Sequence, residues 1–114
     1  MTTVTFHSAG GRLDGFAVEG HSGYAEEGSD IVCAAISAAV GLTECTVNEV
    51  MGIGTAVKTD EKNARVSLKL PPALHGESES LCQSVLTGLM VYLLALGEEY
   101  PDNLTVLLED DDED

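Results

Sequence analysis

A cysteine and a histidine twelve residues apart, with a glycine-rich stretch between them, are the residues of this chain best suited to covalent chemistry. The histidine, His21, lies in Gly20-His21-Ser22-Gly23-Tyr24-Ala25-Glu26-Glu27-Gly28-Ser29. That stretch has three glycines and no apolar period, so it reads as a loop. The cysteine follows in Asp30-Ile31-Val32-Cys33. Asp30 is suited to cap a helix, which puts Cys33 in the first turn. Amides there lack partners within the helix and carry the positive end of its dipole. A thiolate is stabilised at such a place, and a nearby imidazole supplies a base and then an acid. The same amides suit a developing oxyanion. The chemistry on offer is nucleophilic attack on a carbonyl, with Cys33 as nucleophile and His21 as proton carrier. Ser37 lies one turn beyond Cys33 on the same helix face.

Other chemistries find less support. The three cysteines, Cys33, Cys45 and Cys82, include no C-x-x-C pair, and His7, His21 and His75 lie far apart. Neither a metal site nor a cofactor site is expected. Cys45 and Cys82 read as core thiols, and His7 and His75 as structural or solvent-facing. The chain carries 20 acids against five bases, a formal charge of −15. Without the last six residues, Glu109 to Asp114, fourteen acids remain against five bases, a charge of −9. Such a chain repels nucleic acid, whose binding uses Lys and Arg to displace counterions. It favours a basic partner.

The elements that must position the pair follow from periodicity. Thr2 to Ser8 alternates Val4 and Phe6 against Thr3 and Thr5, and Arg12 to Glu19 places Phe16 and Val18 on one face. A glycine turn joins them as a hairpin, with Gly15 suited to a bulge. A helix from Ile31 to Glu49 is expected to bury Ile31, Ala35, Ala38, Ala39, Leu42 and Val50. A second hairpin, Thr55–Thr59 and Arg65–Leu70, turns at Asp60-Glu61-Lys62-Asn63. Val66, Leu68 and Leu70 alternate there with Arg65, Ser67 and Lys69, which implies one wet sheet face. A second helix runs from Ser78 to about Tyr100 on a stripe of Leu81, Val85, Leu89, Leu93 and Leu96, widened by Leu86, Met90 and Leu94. Leu104 to Leu108 closes the sheet. The expected fold is therefore α+β, a two-layer sandwich of order β-β-α-β-β-α-β, with a largely antiparallel sheet and two helices on one face. It fills one domain, residues 1–108, and an acidic, disordered tail covers 109–114. The apolar run Met90 to Leu96 is short for a bilayer span, and no basic region leads into an apolar signal. A soluble, cytoplasmic protein without membrane attachment is expected.

The motif Gly20-His21-Ser22-Gly23-Tyr24-Ala25, then Gly28-Ser29-Asp30-Ile31-Val32-Cys33-Ala34-Ala35-Ile36-Ser37, resembles the ribosomal-processing cysteine protease family, Prp. The β-β-α-β-β-α-β order and Tyr100-Pro101-Asp102 extend the resemblance over nearly the whole chain. The acidic tail is not part of the pattern. The resemblance implies a cysteine endopeptidase that removes the N-terminal extension of a ribosomal large-subunit protein during ribosome assembly. It implies His21 and Cys33 as the catalytic dyad and a homodimer, with Gly20–Ser29 closing over the site as a mobile loop. Gly20, Ser22, Gly23, Tyr24, Gly28, Asp30 and Ser37 are the expected substrate-binding or supporting residues. The competing expectation is a non-catalytic, acidic, dimeric module that holds a basic ribosomal protein without cutting it.

Overall fold

A computed structural model of the chain describes residues 1–20 and 27–110, with only the backbone of 27–30. The described residues form eight elements in succession: β1 (Thr2–Ala9), β2 (Arg12–Glu19), α1 (Glu27–Glu44), a π-helical segment (Cys45–Val50), β3 (Ala56–Asp60), β4 (Arg65–Lys69), α2 (Gly76–Glu99) and β5 (Leu104–Asp110). The five strands form one sheet in the order β3-β4-β2-β1-β5. The β1–β2, β2–β4 and β3–β4 pairs are antiparallel, and only β1–β5 is parallel. This is the α+β architecture expected, with both helices on one face.

The alternation in the strands works as it reads. Val57, Leu68, Phe16, Phe6 and Leu108 stand in one row across the five strands, and Thr59, Val66, Val18, Val4 and Val106 in the next. These rows face the helices. Phe6 and Phe16 are fully buried, with ring centroids 5.5 Å apart, an aromatic pair stabilising beyond the area it buries. The opposite face carries Lys58, Ser67, Ala17 and Thr5 in one row and Asp60, Arg65, Glu19 and Thr3 in another. Arg65, Ser67 and Lys69 therefore lie on the wet face. On that face His7 Nδ1 lies 3.5 Å from Glu109, so β5 continues past Leu108 into the acidic run.

The β1–β2 register shifts where His7 pairs Gly15 and Ser8 pairs Leu13, leaving Asp14 as the extra residue. The expected bulge thus falls at Asp14, beside Gly15. Gln83 on α2 repairs the interruption. Its Oε1 accepts from Leu13 N–H at 2.8 Å, and its Nε2 donates to Leu13 C=O at 2.7 Å. Arg12 adds a second tie, donating from Nε to Glu79 at 2.8 Å and from Nη2 to Pro71 C=O at 2.9 Å.

The helices depart from expectation in register. α1 buries Val32 and Ile36, followed by Val47 in the π-helical segment, whereas Ile31, Leu42 and Val50 are exposed. Residues 31–42 are apolar nearly all round, so their periodicity does not select a face. α2 buries Cys82, Leu86, Leu89, Leu93 and Leu96, while Leu81 and Leu94 are about half exposed. The first helix also changes pitch at Cys45. Thr43 and Thr46 donate their hydroxyls to the carbonyls of Ala39 and Leu42, four residues back, a type of bond that bends helices. Ile31–Val50 and Gly76–Glu99 both reach the length and apolarity of a membrane span, at mean hydropathy 1.6. Here each packs one face on the sheet.

Candidate active site

Cys33 lies in a cleft of about 580 Å³ between α1 and the tip of the β3–β4 hairpin. Val18, Ile36, Val40 and Val66 make the apolar part of its wall. Cys33 itself is half-buried. Ser37 lines the same cleft one turn on, as its spacing from Cys33 requires. Thr2 and Val18 also line it, which places the end of β2 at its edge. Gly20, two residues beyond Val18, has φ +85° and would put a Cβ 2.7 Å from the Met1 carbonyl oxygen. Only glycine fits both demands. The chain leaves the sheet there, and His21 is the next residue. His21, Ser22, Gly23 and Tyr24 lie outside the described residues, as does most of the expected Gly20–Ser29 loop.

One expectation about this site is corrected. α1 begins at Glu27, so Asp30 is not its N-cap but a residue of its first turn, as is Gly28. Among the helical residues, the amides without a carbonyl four residues back are then those of Glu27 to Ser29. Cys33 sits in the second turn, where the dipole has largely fallen off and its own amide belongs to the helix ladder. An oxyanion at Cys33 needs donors from outside α1's own ladder at that turn.

The other thiols differ from each other. Cys82 is fully buried in the core, and burial pushes its thiol above the ordinary value, with the nearby Glu79 carboxylate adding to the effect. Cys45, expected in the core, is exposed on the π-helical segment. Among the described residues no group of three His, Cys, Asp or Glu side chains has a geometry that would hold a metal ion.

The wall opposite Cys33 comes from residues that sequence reasoning did not single out: Thr59, Asp60, Glu61, Ala64 and Arg65. Asp60 is held by Asn63, which donates from its side chain at 2.7 Å and its backbone at 3.2 Å. These bonds keep the Asp60 carboxyl below its ordinary pKa. Arg65 reaches Glu19 at 3.9 Å. Gly41 and Glu44 continue the α1 wall. Their signal was available as the helical spacing from Cys33 through Ser37. The hairpin wall has no such signal, because it reaches the cleft only through the β2–β4 pairing.

A thiol in an open cleft on an α+β sandwich, with β2 ending at the cleft edge, suits a cysteine protease. The sequence profile described as "Cysteine protease Prp" matches residues 1–105, and the chain belongs to that family. A curated relative, "Ribosomal processing cysteine protease Prp" of Bacillus subtilis (strain 168), is 30% identical over 91 residues, which cover 80% of this chain and 81% of the relative. Two solved structures share the fold. SMU.848 from Streptococcus mutans superposes with a TM-score of 0.85 at 23% identity, covering 96% of this chain and 95% of that one. The essential ribosomal processing protease Prp from S. aureus, in complex with a substrate peptide, superposes with a TM-score of 0.81 at 21% identity, covering 96% and 100%. The protein is a cysteine protease, which displaces the expectation of a non-catalytic binding module. The match ends at residue 105, so the end of β5 and the acidic tail lie beyond the family pattern.

Proposed function

We propose that this protein is the endopeptidase that removes the N-terminal extension of a ribosomal large-subunit protein in the cytoplasm during ribosome assembly, with Cys33 and His21 as its dyad. The observation that carries this reading is Cys33 in an open cleft at whose edge the His21 segment begins. The relatives' ribosomal processing role supports the substrate class. The charge of the folded part suits a basic ribosomal protein.

The chemistry proceeds in two stages. Cys33 Sγ, its proton passed to His21, attacks the scissile carbonyl carbon. The C–N bond breaks as the His21 imidazolium gives its proton to the leaving amine, and a thioester remains on Cys33. Water, deprotonated by His21, then hydrolyses the thioester and frees the extension's new carboxylate. No metal or cofactor enters this sequence.

The protein acts as a homodimer in this reading. An apolar groove of about 490 Å³ runs between α1 and α2, bordered by Ala35, Ala38, Leu42, Gly88 and Tyr92. Leu42 and Tyr92 are 69% and 51% exposed there, which leaves apolar surface for a second copy to cover.

The test is mass spectrometry of a synthetic peptide spanning the extension's junction. Wild type is expected to cut it once. Cys33→Ser is expected to keep its circular dichroism spectrum and lose cleavage, because a hydroxyl is far less acidic than a thiol. His21→Ala is expected to lose most activity. Undiminished cleavage by folded Cys33→Ser would refute the dyad.

A further inference from the structure

Four of the six α1 residues that line the cleft follow one another at helical spacing: Cys33, Ser37, Gly41 and Glu44. The fold does not account for the last two. Gly41 lies inside the helix, where glycine costs about 1 kcal/mol relative to alanine. A Cβ at Gly41 would meet nothing within 4 Å, and its φ is not in the left-handed range. Neither packing nor backbone conformation requires glycine here. Glu44 is a half-buried carboxylate that makes no hydrogen bond or ion pair among the described residues. Across the cleft, Asp60 is committed to Asn63, and Arg65 serves Glu19 and pairs across the strands with Asp60. With exposed Glu61, this end of the cleft is net negative.

We propose that the cleft is a peptide channel running along α1 from Cys33, in which Gly41 admits the substrate main chain at close range and Glu44 reads a basic side chain about five residues from the scissile bond. The distance follows from geometry. Glu44 is eleven residues beyond Cys33. At a helical rise of 1.5 Å per residue that is about 16 Å along the axis. An extended peptide covers about 3.3 Å per residue, so it spans the interval in about five residues. A channel that needs room for an incoming backbone explains a glycine that costs the helix stability. A channel that takes a cation explains a half-buried carboxylate that has no partner among the described residues. The inference rests on Cys33 being the nucleophile.

The test uses the full chain and a family of junction peptides, otherwise uncharged, in which one lysine is walked through each position on both sides of the cut. The expected result is cleavage at one bond throughout, with KM lowest when the lysine stands about five residues away on one side. The gain is about threefold to fivefold, the size of a partly exposed ion pair. Glu44→Gln is expected to erase that minimum, raising KM for the favoured lysine peptide to that of its neighbours in the series. Gly41→Ala is expected to melt higher than wild type and to raise KM for every peptide, and Gly41→Leu to raise it further. A flat lysine profile, a minimum that survives Glu44→Gln, or an unchanged KM in Gly41→Ala would overturn the channel while leaving the protease reading intact. Failure of wild type to cut any of the peptides would overturn both.

Discussion

Gly15→Ala tests how the hairpin wall of the cleft is held. Gly15 on β2 pairs with Lys69 on β4, and the neighbouring Asp14 C=O accepts from Leu70 N–H at 2.8 Å. A Cβ at Gly15 would lie 2.3 Å from the Leu68 carbonyl oxygen and 3.1 Å from Lys69 Cα. Both neighbours are backbone, so no side chain can swing aside. Relief requires β4 to move from β2 by about 1 Å, which breaks or stretches two ladder bonds. At about 1 kcal/mol each, with a further ~1–2 kcal/mol of residual strain, the cost is about 3–4 kcal/mol. For a domain of this size that lowers Tm by about 10–15 °C. The same movement carries Arg65 and Val66 away from α1, so KM for the junction peptide rises even where the variant is folded. Thermal melts followed by circular dichroism, with peptide kinetics well below Tm, measure both effects. A Tm within 2–3 °C of wild type would show that β4 is not fixed against β2 as described.

Three other outcomes are expected. Gln83→Ala leaves Leu13 N–H and C=O without partners at the bulge and should cost about 2 kcal/mol in denaturant titration; Gln83→Glu, which cannot donate to the carbonyl, should recover only part of the loss. Ala64 holds φ +49° in the β3–β4 turn, so Ala64→Gly should raise Tm slightly, by about 0.5–1 kcal/mol in stability. The Cys82 thiol is raised from 9.0 by burial, so the folded state keeps its proton after the unfolded chain has lost it. Its contribution is therefore constant below about pH 9 and falls as pH rises further, and Cys82→Ala should flatten the alkaline limb of a Tm-against-pH curve.

The strands were legible in the sequence because period two leaves a single choice. Val4 and Phe6 against Thr3 and Thr5 name a buried face, and the structure buries that face. The helices were legible in existence and less so in register. Leu81 and Cys82 are both apolar, and only the shape of the sheet beneath decides that Cys82 turns inward. Thr43 and Thr46 carry no local signal strong enough to announce a π-helical turn. The start of α1 was read from Asp30, a good capping residue, while Glu27 begins the helix a turn earlier. On the site, Cys33 and Ser37 share a cleft as their spacing demands. Asp60, Glu61 and Arg65 join them through pairing between strands some fifty residues apart in the chain, which no local pattern encodes.

The thiols offer the most direct test of the central claim, because exposure and activation point to different residues. Cys45 is exposed, Cys33 half-buried and Cys82 buried. Simple access would make Cys45 react first. A nucleophile activated by His21 makes Cys33 react first in spite of its burial. The measurement is limited alkylation with iodoacetamide near neutral pH, read by peptide mass spectrometry at each cysteine alongside residual cleavage of the junction peptide. Cys33 is expected to be modified fastest, loss of activity to follow its modification one for one, and His21→Ala to slow Cys33 below Cys45. Modification of Cys45 ahead of Cys33, or full activity in protein alkylated at Cys33, would contradict it.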